Sequence, residues 1–231
     1  MSQQEKLGAR ERFVNWLSST LSRYRKVVMI GGISLIVIVV GIVVFFQVQE
    51  RRLQESVVMV ENAEELISEW EQSQEEDRSE IESEFMSLLD DVIDGYSNLY
   101  SAQRALFLRA RFYMETEQWS EAVADYRSLT DSFPESHLAL ISLSNKATAH
   151  EELGESDQAL ETYEELSELR ETRNPMRARA LFSIGRLQEQ SGETDDALES
   201  YEGLVSEYPN SDWTNLARNR ILAIETGHAG G

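Results

Sequence analysis

The chain has 231 residues and a mass of 26.4 kDa, with 42 acidic against 21 basic residues and a net charge of -21. It contains no cysteine, three histidines, 12 glycines and three prolines. Disulfides, zinc-thiolate sites and thiol nucleophiles are therefore excluded, and the glycine and proline poverty speaks against a turn-rich all-β chain. The acidity speaks against nucleic acid as a partner, because phosphates are gripped by Lys and Arg.

Residues 1–26 form a basic leader. Phe13, Trp16, Leu17, Leu21 and Tyr24 fall at i, i+3, i+4, i+8 and i+11, one face of a helix. Such a face fits the anionic interface of a membrane and equally fits contact with another membrane subunit.

The next element is a membrane span, placed at 27–48 around an uncharged, proline-free core from Val27 to Phe46. About twenty residues at 1.5 Å per residue cross a hydrocarbon core of about 30 Å, and a helix satisfies its own backbone there. A cleavable signal peptide fits poorly, since no small-x-small site follows Phe46. Before the span, six basic and two acidic residues give +4, whereas the remainder carries -25. Arg10, Arg12, Arg23, Arg25 and Lys26 outweigh Arg51 and Arg52 beyond it, which predicts the N-terminus inside and the bulk of the chain outside the cytoplasm.

Residues 49–100 read as a stalk helix and a degenerate helix pair. Ile81, Phe85, Leu88, Leu89, Val92 and Ile93 make an apolar stripe, and the turn is expected at SQEEDRSE, residues 73–80. Leu53, Val60 and Ile67 recur at seven, with Ala63 and Trp70 at a second heptad position. A short coiled coil there would make a homodimer. Under three heptads, the pattern favours a helix that continues from the membrane and packs on residues 81–93.

Three segments within 101–211 align with one another. Ala122, Ala159 and Ala197 are each followed by Tyr126, Tyr163 and Tyr201 at i+4, then by Leu129, Leu166 and Leu204. Small residues Ala110, Ala147 and Gly185 stand twelve positions before each anchor alanine and mark a close helix crossing. Gly154 and Gly192 suit left-handed helix ends. Residues 212–226 supply a capping helix through Leu216, Ala217, Ile221 and Ile224, because each repeat buries its face only against a neighbour. Residues 227–231 are expected to be a disordered tail.

The anchors Ala110, Tyr113, Ala122, Tyr126 and Pro134, then Ala147, Gly154, Ala159 and Tyr163, then Gly185, Ala197, Tyr201 and Pro209 resemble the tetratricopeptide repeat family. The second set lacks the terminal proline, and the period is 37–38 where 34 is usual. The resemblance implies an all-α fold: a single transmembrane helix followed by an α-solenoid of helix hairpins. It implies further that the first helix of each pair lines a groove. Aligned on that pattern, the groove positions are Arg104, Phe107, Arg111 and Met114, then Ser144 and Thr148, then Arg179, Phe182 and Arg186. Four guanidinium groups there would suit acidic or C-terminal peptide segments, with Phe107 and Phe182 as apolar anchors. The alternative is that these arginines pair internally with Glu115, Glu151 and Glu189.

No phosphate-binding glycine motif occurs. His150 reads as a packed, hydrogen-bonded side chain, His137 falls in a loop and His228 in the tail. The carboxylate runs lack calcium-loop spacing. No catalytic, cofactor or metal residues are predicted, and the chain is not expected to be an enzyme. Lysine occurs only at 6, 26 and 146, which fits an acidic domain screened in a salty exterior. A basic leader, one span and a repeat-like domain together resemble the YfgM-type ancillary subunits of the bacterial Sec translocon. That resemblance implies a periplasmic interaction module, anchored in the inner membrane, serving protein translocation or envelope protein biogenesis. An envelope scaffold for cell division or outer-membrane assembly is the alternative.

Overall fold

A computed structural model describes residues 8–169 and 174–228. Among them the structure is helical throughout: α1 (Ala9–Gln72), α2 (Glu75–Gly95), α3 (Tyr100–Glu115), α4 (Trp119–Ser132), α5 (Ala139–Glu152), α6 (Ser156–Glu168), α7 (Arg177–Ser191), α8 (Thr194–Glu207) and α9 (Asp212–His228). The chain divides into two compact units, residues 1–54 and 55–231.

In the first unit, α1 is bent at Tyr24, whose backbone leaves helical geometry at φ -105° and ψ 15°. The bend falls near the boundary between the leader and the apolar run. From Val27 onward, the large apolar side chains described up to Phe46 are between 50% and 66% exposed, on every side of the helix. A helix apolar all round with nothing packed on it is long and greasy enough to cross a membrane.

The second unit is a stack of helix pairs. The C-terminal part of α1 packs with α2 and α3 through Val60, Ala63, Phe85, Leu89, Val92 and Phe112, with Trp70 edge-on to Phe112 at 5.1 Å. The stretch from Met59 to Trp70 therefore packs into this chain's own core. The turn expected over residues 73–80 is shorter than that. Only Ser73 and Gln74 leave the helix, because Glu75, Glu76 and Asp77 sit at the start of α2, where carboxylates favour the positive helix end.

One turn recurs between successive pairs. The N–H groups of Leu99, Ser136 and Ser211 donate to the carbonyls of Tyr96, Phe133 and Tyr208, and those of Ala102, Ala139 and Thr214 donate to Leu99, Ser136 and Ser211. At the corresponding place after α6, Arg177 N–H bonds the Asn174 carbonyl across Pro175. The Asn174 side chain donates to the Leu166 carbonyl at 2.8 Å and accepts from the Met176 N–H at 2.9 Å. The degenerate pair thus shares the repeat's turn although it lacks its anchors. Phe85, Leu89 and Val92 stand where the later pairs have Ala, Tyr and Leu, all fully or almost fully buried.

α9 takes in Gly227 and His228, which the sequence pattern assigns to the tail; residues 229–231, like residues 1–7 of the leader, lie outside the described residues. The helix closes the array with Ala217 and Ile224 against Tyr201 and Leu204.

Candidate functional site

Each hairpin closes around a fully covered tyrosine. Ala122, Ala159 and Ala197 are wholly buried, as are Ala110 and Ala147 opposite, so the two helices approach closely and the aromatic ring fills the remaining gap. In the third pair the approach is closer still. A Cβ on Gly185 would stand 2.7 Å from Tyr201 Cε1 and 2.8 Å from Cδ1.

The tyrosine hydroxyls carry the polar side of the site. Tyr163 donates to Glu151 Oε1 at 2.9 Å, and Arg186 Nη2, from the next pair, reaches Glu151 Oε2 at 2.5 Å. Tyr201 donates to Glu189 Oε2 at 3.2 Å, and Arg220 of α9 forks onto both oxygens of Glu189. Each tyrosine–carboxylate–guanidinium set staples one repeat to the next. In the first pair Met114 holds the place of the carboxylate, and Tyr126 instead accepts from Asn145 Nδ2 at 3.1 Å.

Burial is the main reason that Tyr126 and Tyr201 are both pushed up to about 12, with the adjacent Glu189 adding to the rise at Tyr201. The Asn145 hydrogen bond and the Arg111 charge pull the other way at Tyr126. Tyr163 is raised by burial first, then by Glu151. Hydrogen bonding to Glu189 holds the Arg220 guanidinium above its ordinary range.

The predicted groove positions differ in what they contact. Arg104 and Arg186 are engaged in ion pairs, with Glu64 of α1 at 2.5 Å and with Glu151. Arg179 donates to Thr148 Oγ1 at 3.1 Å, and Thr148 in turn bonds the Ser144 carbonyl. Phe107 packs edge-on to Tyr126 at 6.1 Å, while Phe182 lies between Tyr201 at 5.7 Å and Trp213 at 5.5 Å. Met114 is half-buried against the same cluster as Phe107. Ser144 occupies the position that Phe107 and Phe182 hold in their repeats. Its two-atom side chain does not reach past its neighbours, so it is fully buried and presents nothing on this face. Arg111 is exposed and forms no ion pair among the described residues. Glu151 and Glu189 do pair with arginine, the latter with Arg220 of the capping helix, a partner that lies outside the predicted groove set.

A second polar cluster lies outside the Ala, Tyr and Leu anchors. Arg109 of α3 bonds Asp125 of α4 twice, at 2.7 Å through both Nε and Nη2, and also reaches Asp90 of α2. Asp125 is almost fully buried. The bond to it is the largest influence holding the guanidinium well above its ordinary range. This cluster ties three helices together. Its one signal in the sequence is a lone basic residue on an apolar helix face, repeated as Lys146, which lies 3.6 Å from Glu165. His150 is buried with Nδ1 2.7 Å from Glu155 Oε2, a local link across the turn after α5. Among the described residues, no group of three His, Cys, Asp or Glu stands close enough together to hold a metal ion.

Two tetratricopeptide-repeat family models match this chain, over residues 104–136 and residues 144–212. Over those two stretches the chain is similar to tetratricopeptide repeats. A TPR repeat-containing protein from Treponema pallidum (strain Nichols) is 28% identical over 134 residues, 58% of this chain and about half, 54%, of the relative's length. Among solved structures, a putative kinesin light chain of nearly identical TPR-like repeats from Podosopora anserina superposes with a TM-score of 0.50. It is 17% identical, covering 73% of this chain and 89% of that one. A point variant of that same protein agrees, at 18% identity and TM-score 0.50, covering 73% and 88%. The likeness shows the helical repeat fold. None of these matches names a catalytic family, and TPR arrays as a class bind other proteins.

Proposed function

We propose that this chain is a single-pass inner-membrane protein whose TPR array stands outside the cytoplasm and docks segments of other proteins during translocation or envelope maturation. The observation that carries this reading is the apolar helix ahead of the array, unpacked on every side, preceded by a basic leader of net charge +4. A soluble core helix would have its apolar face covered. Here the surface left bare is the length of a bilayer core, and the basic flank argues that the leader stays inside.

The array itself supports binding over chemistry. Its polar side chains are spent on joining helices, and its buried tyrosines are matched to hydrogen-bond partners rather than poised for proton transfer. The surface available for docking is the face of α3, α5 and α7, where Phe107, Arg111, Met114 and Thr148 are partly or wholly accessible.

Two measurements test the proposal. A reporter active only outside the cytoplasm, fused after residue 228, should be active; one active only inside should be silent. A photo-crosslinker at Thr148 in native membranes should capture translocon subunits or chains in transit. Capture of peptidoglycan synthases or outer-membrane lipoproteins instead would replace the translocation role with the scaffold role.

A further inference from the structure

α9 follows the layout of α3, α5 and α7 but carries different residues on one side. The recurring turn puts Ala102, Ala139, Arg177 and Thr214 at equivalent positions. Eight residues further along stand Ala110, Ala147 and Gly185 in the first three helices, and Leu222 in α9. The small residue is buried where the second helix of each pair crosses the first. Four residues before it those helices carry Leu106, Leu143 and Leu181, the first two buried and the third half-buried. α9 carries Arg218 there. Leu222 is 59% exposed, and Arg218 is exposed beside it.

A second helix of the repeat's own kind does not fit this side of α9. Even a Cβ on Gly185 would stand 2.7 Å from the Tyr201 ring, so a leucine at the crossing holds such a helix away. Arg218 would be covered where the other helices bury leucine. The face instead complements itself. Arg218, Leu222 and Glu225 follow one another at i, i+4 and i+7, along one side of the helix. Arg218 bonds Asn215 of its own helix at 3.5 Å. Neither Arg218 nor Glu225 forms an ion pair among the described residues.

A two-fold axis beside Leu222 turns a second α9 antiparallel to the first. Leu222 then meets Leu222 of the second copy. Arg218 lies about 6 Å along the helix from Leu222, and Glu225 about 4.5 Å the other way. The rotation therefore brings Arg218 nearly level with Glu225 of the second copy, and the same pair forms again across the axis. Charge favours this site too. In a chain of net charge -21, α9 balances Asp212 and Glu225 with Arg218 and Arg220, so two copies approach there with little repulsion.

We infer that α9 is a self-association surface. It pairs antiparallel with α9 of a second copy, which takes the place that α4, α6 and α8 take on α3, α5 and α7. One helix face is a small contact, so the association is weak and reversible. It uses the second-helix side of α9 and does not depend on the docking face.

The chain contains no cysteine, so a single Leu222→Cys reports on the contact by itself. The full chain in non-ionic detergent should form a disulfide-linked dimer on mild oxidation. Leu216→Cys is the control, 46% exposed but about a third of a turn round the same helix. Its dimer should form about tenfold more slowly, because disulfide geometry demands a close and facing pair. Added to Leu222→Cys, either Arg218→Glu or Glu225→Arg alone sets like charges in both pairs and should slow the dimer about tenfold. Mixing these two variants, marked by tags of different mass, should restore the rate in the mixed dimer alone, since each mixed pair is again opposite in charge. Thermal melts should not move, because both side chains are exposed. No dimer at Leu222→Cys, equal rates at the two cysteine positions, or a mixed dimer no faster than either variant with itself overturns the inference.

Discussion

The first and third hairpins are built on one plan and closed by different means. In the third, Gly185 lets Tyr201 lie against the helix backbone, and Glu189 ties the ring hydroxyl to Arg220 of the next element. In the first, Ala110 keeps a Cβ at the crossing, Met114 stands where the carboxylate would be, and the tying is done on the opposite side by Arg109, Asp125 and Asp90. A repeat's helix positions are thus dictated by close packing, whereas its polar links are interchangeable.

The largest expected effect probes what the hairpins share. Tyr163→Ala should cost about 3–5 kcal/mol, the usual range for emptying a buried aromatic site. It sits mid-array, so neighbours on both sides lose their packing surface. A urea melt should show the midpoint falling for the whole array; loss confined to α5 and α6 by hydrogen exchange would mean that the repeats are less coupled than their packing implies.

High pH separates the hairpins by their hydroxyls. A tyrosine raised to about 12 in the folded protein, against about 10 when unfolded, favours the folded state fully below pH 10. That contribution is lost as pH climbs from about 10 through about 12. Chemical melts across this window should show the wild type losing stability faster than Tyr201→Phe, whose ring has no proton to give up. The general self-repulsion of an acidic chain affects both alike, so parallel curves would refute the assignment.

Gly185→Ala tests the tighter crossing. The added methyl meets the Tyr201 ring at 2.7–2.8 Å, so the helices must part or the ring must turn, at about 1–3 kcal/mol. The same substitution at an exposed helical position would stabilise by about 1 kcal/mol, so the sign of the change in melting temperature decides whether the contact governs.

A comparable contrast lies at the helix ends. Gly154 and Gly192 take φ of +74° and +86°, and Glu117 takes +60° at the corresponding place in the first pair. The N–H groups of Gln118, Glu155 and Glu193 each bond the carbonyl five residues back, at 2.8–2.9 Å, so the three turns are the same. Glu117→Gly should therefore stabilise by about 1 kcal/mol, and Gly154→Ala should destabilise by about as much. Thermal melts of the two variants should move in opposite directions.

Much of this is legible in the sequence, because close packing leaves a periodic trace. The Ala, Tyr and Leu anchors and the residues twelve positions upstream mark the hairpins and their crossings, and an unbroken apolar run marks the helix long and apolar enough to cross a membrane. The degenerate pair is harder to read. Its large residue moves from the tyrosine position to the alanine position, as Phe85 and Leu89, which conserves filled volume while erasing the motif. Polar partners are the least legible. Long arginine side chains reach across helices to residues 31–40 positions away, as in Arg220 with Glu189 and Arg104 with Glu64. Helical periodicity does not register such distances. Ser144 is misplaced for a related reason: alignment identifies the position, and side-chain length decides whether it reaches the surface.

The smallest effect returns to the third hairpin's own link. Arg220 is about half exposed, so its grip on Glu189 is weakened by solvent and should contribute no more than about 1 kcal/mol. Arg220→Gln should therefore lower the melting temperature slightly, and the difference from wild type should shrink as salt is added. Removing the carboxylate should reach further. Glu189→Gln weakens the bonds to Tyr201 and Arg220 together, so the two variants combined should cost less than the sum of each alone. Strict additivity would mean that Tyr201, Glu189 and Arg220 act as separate contacts.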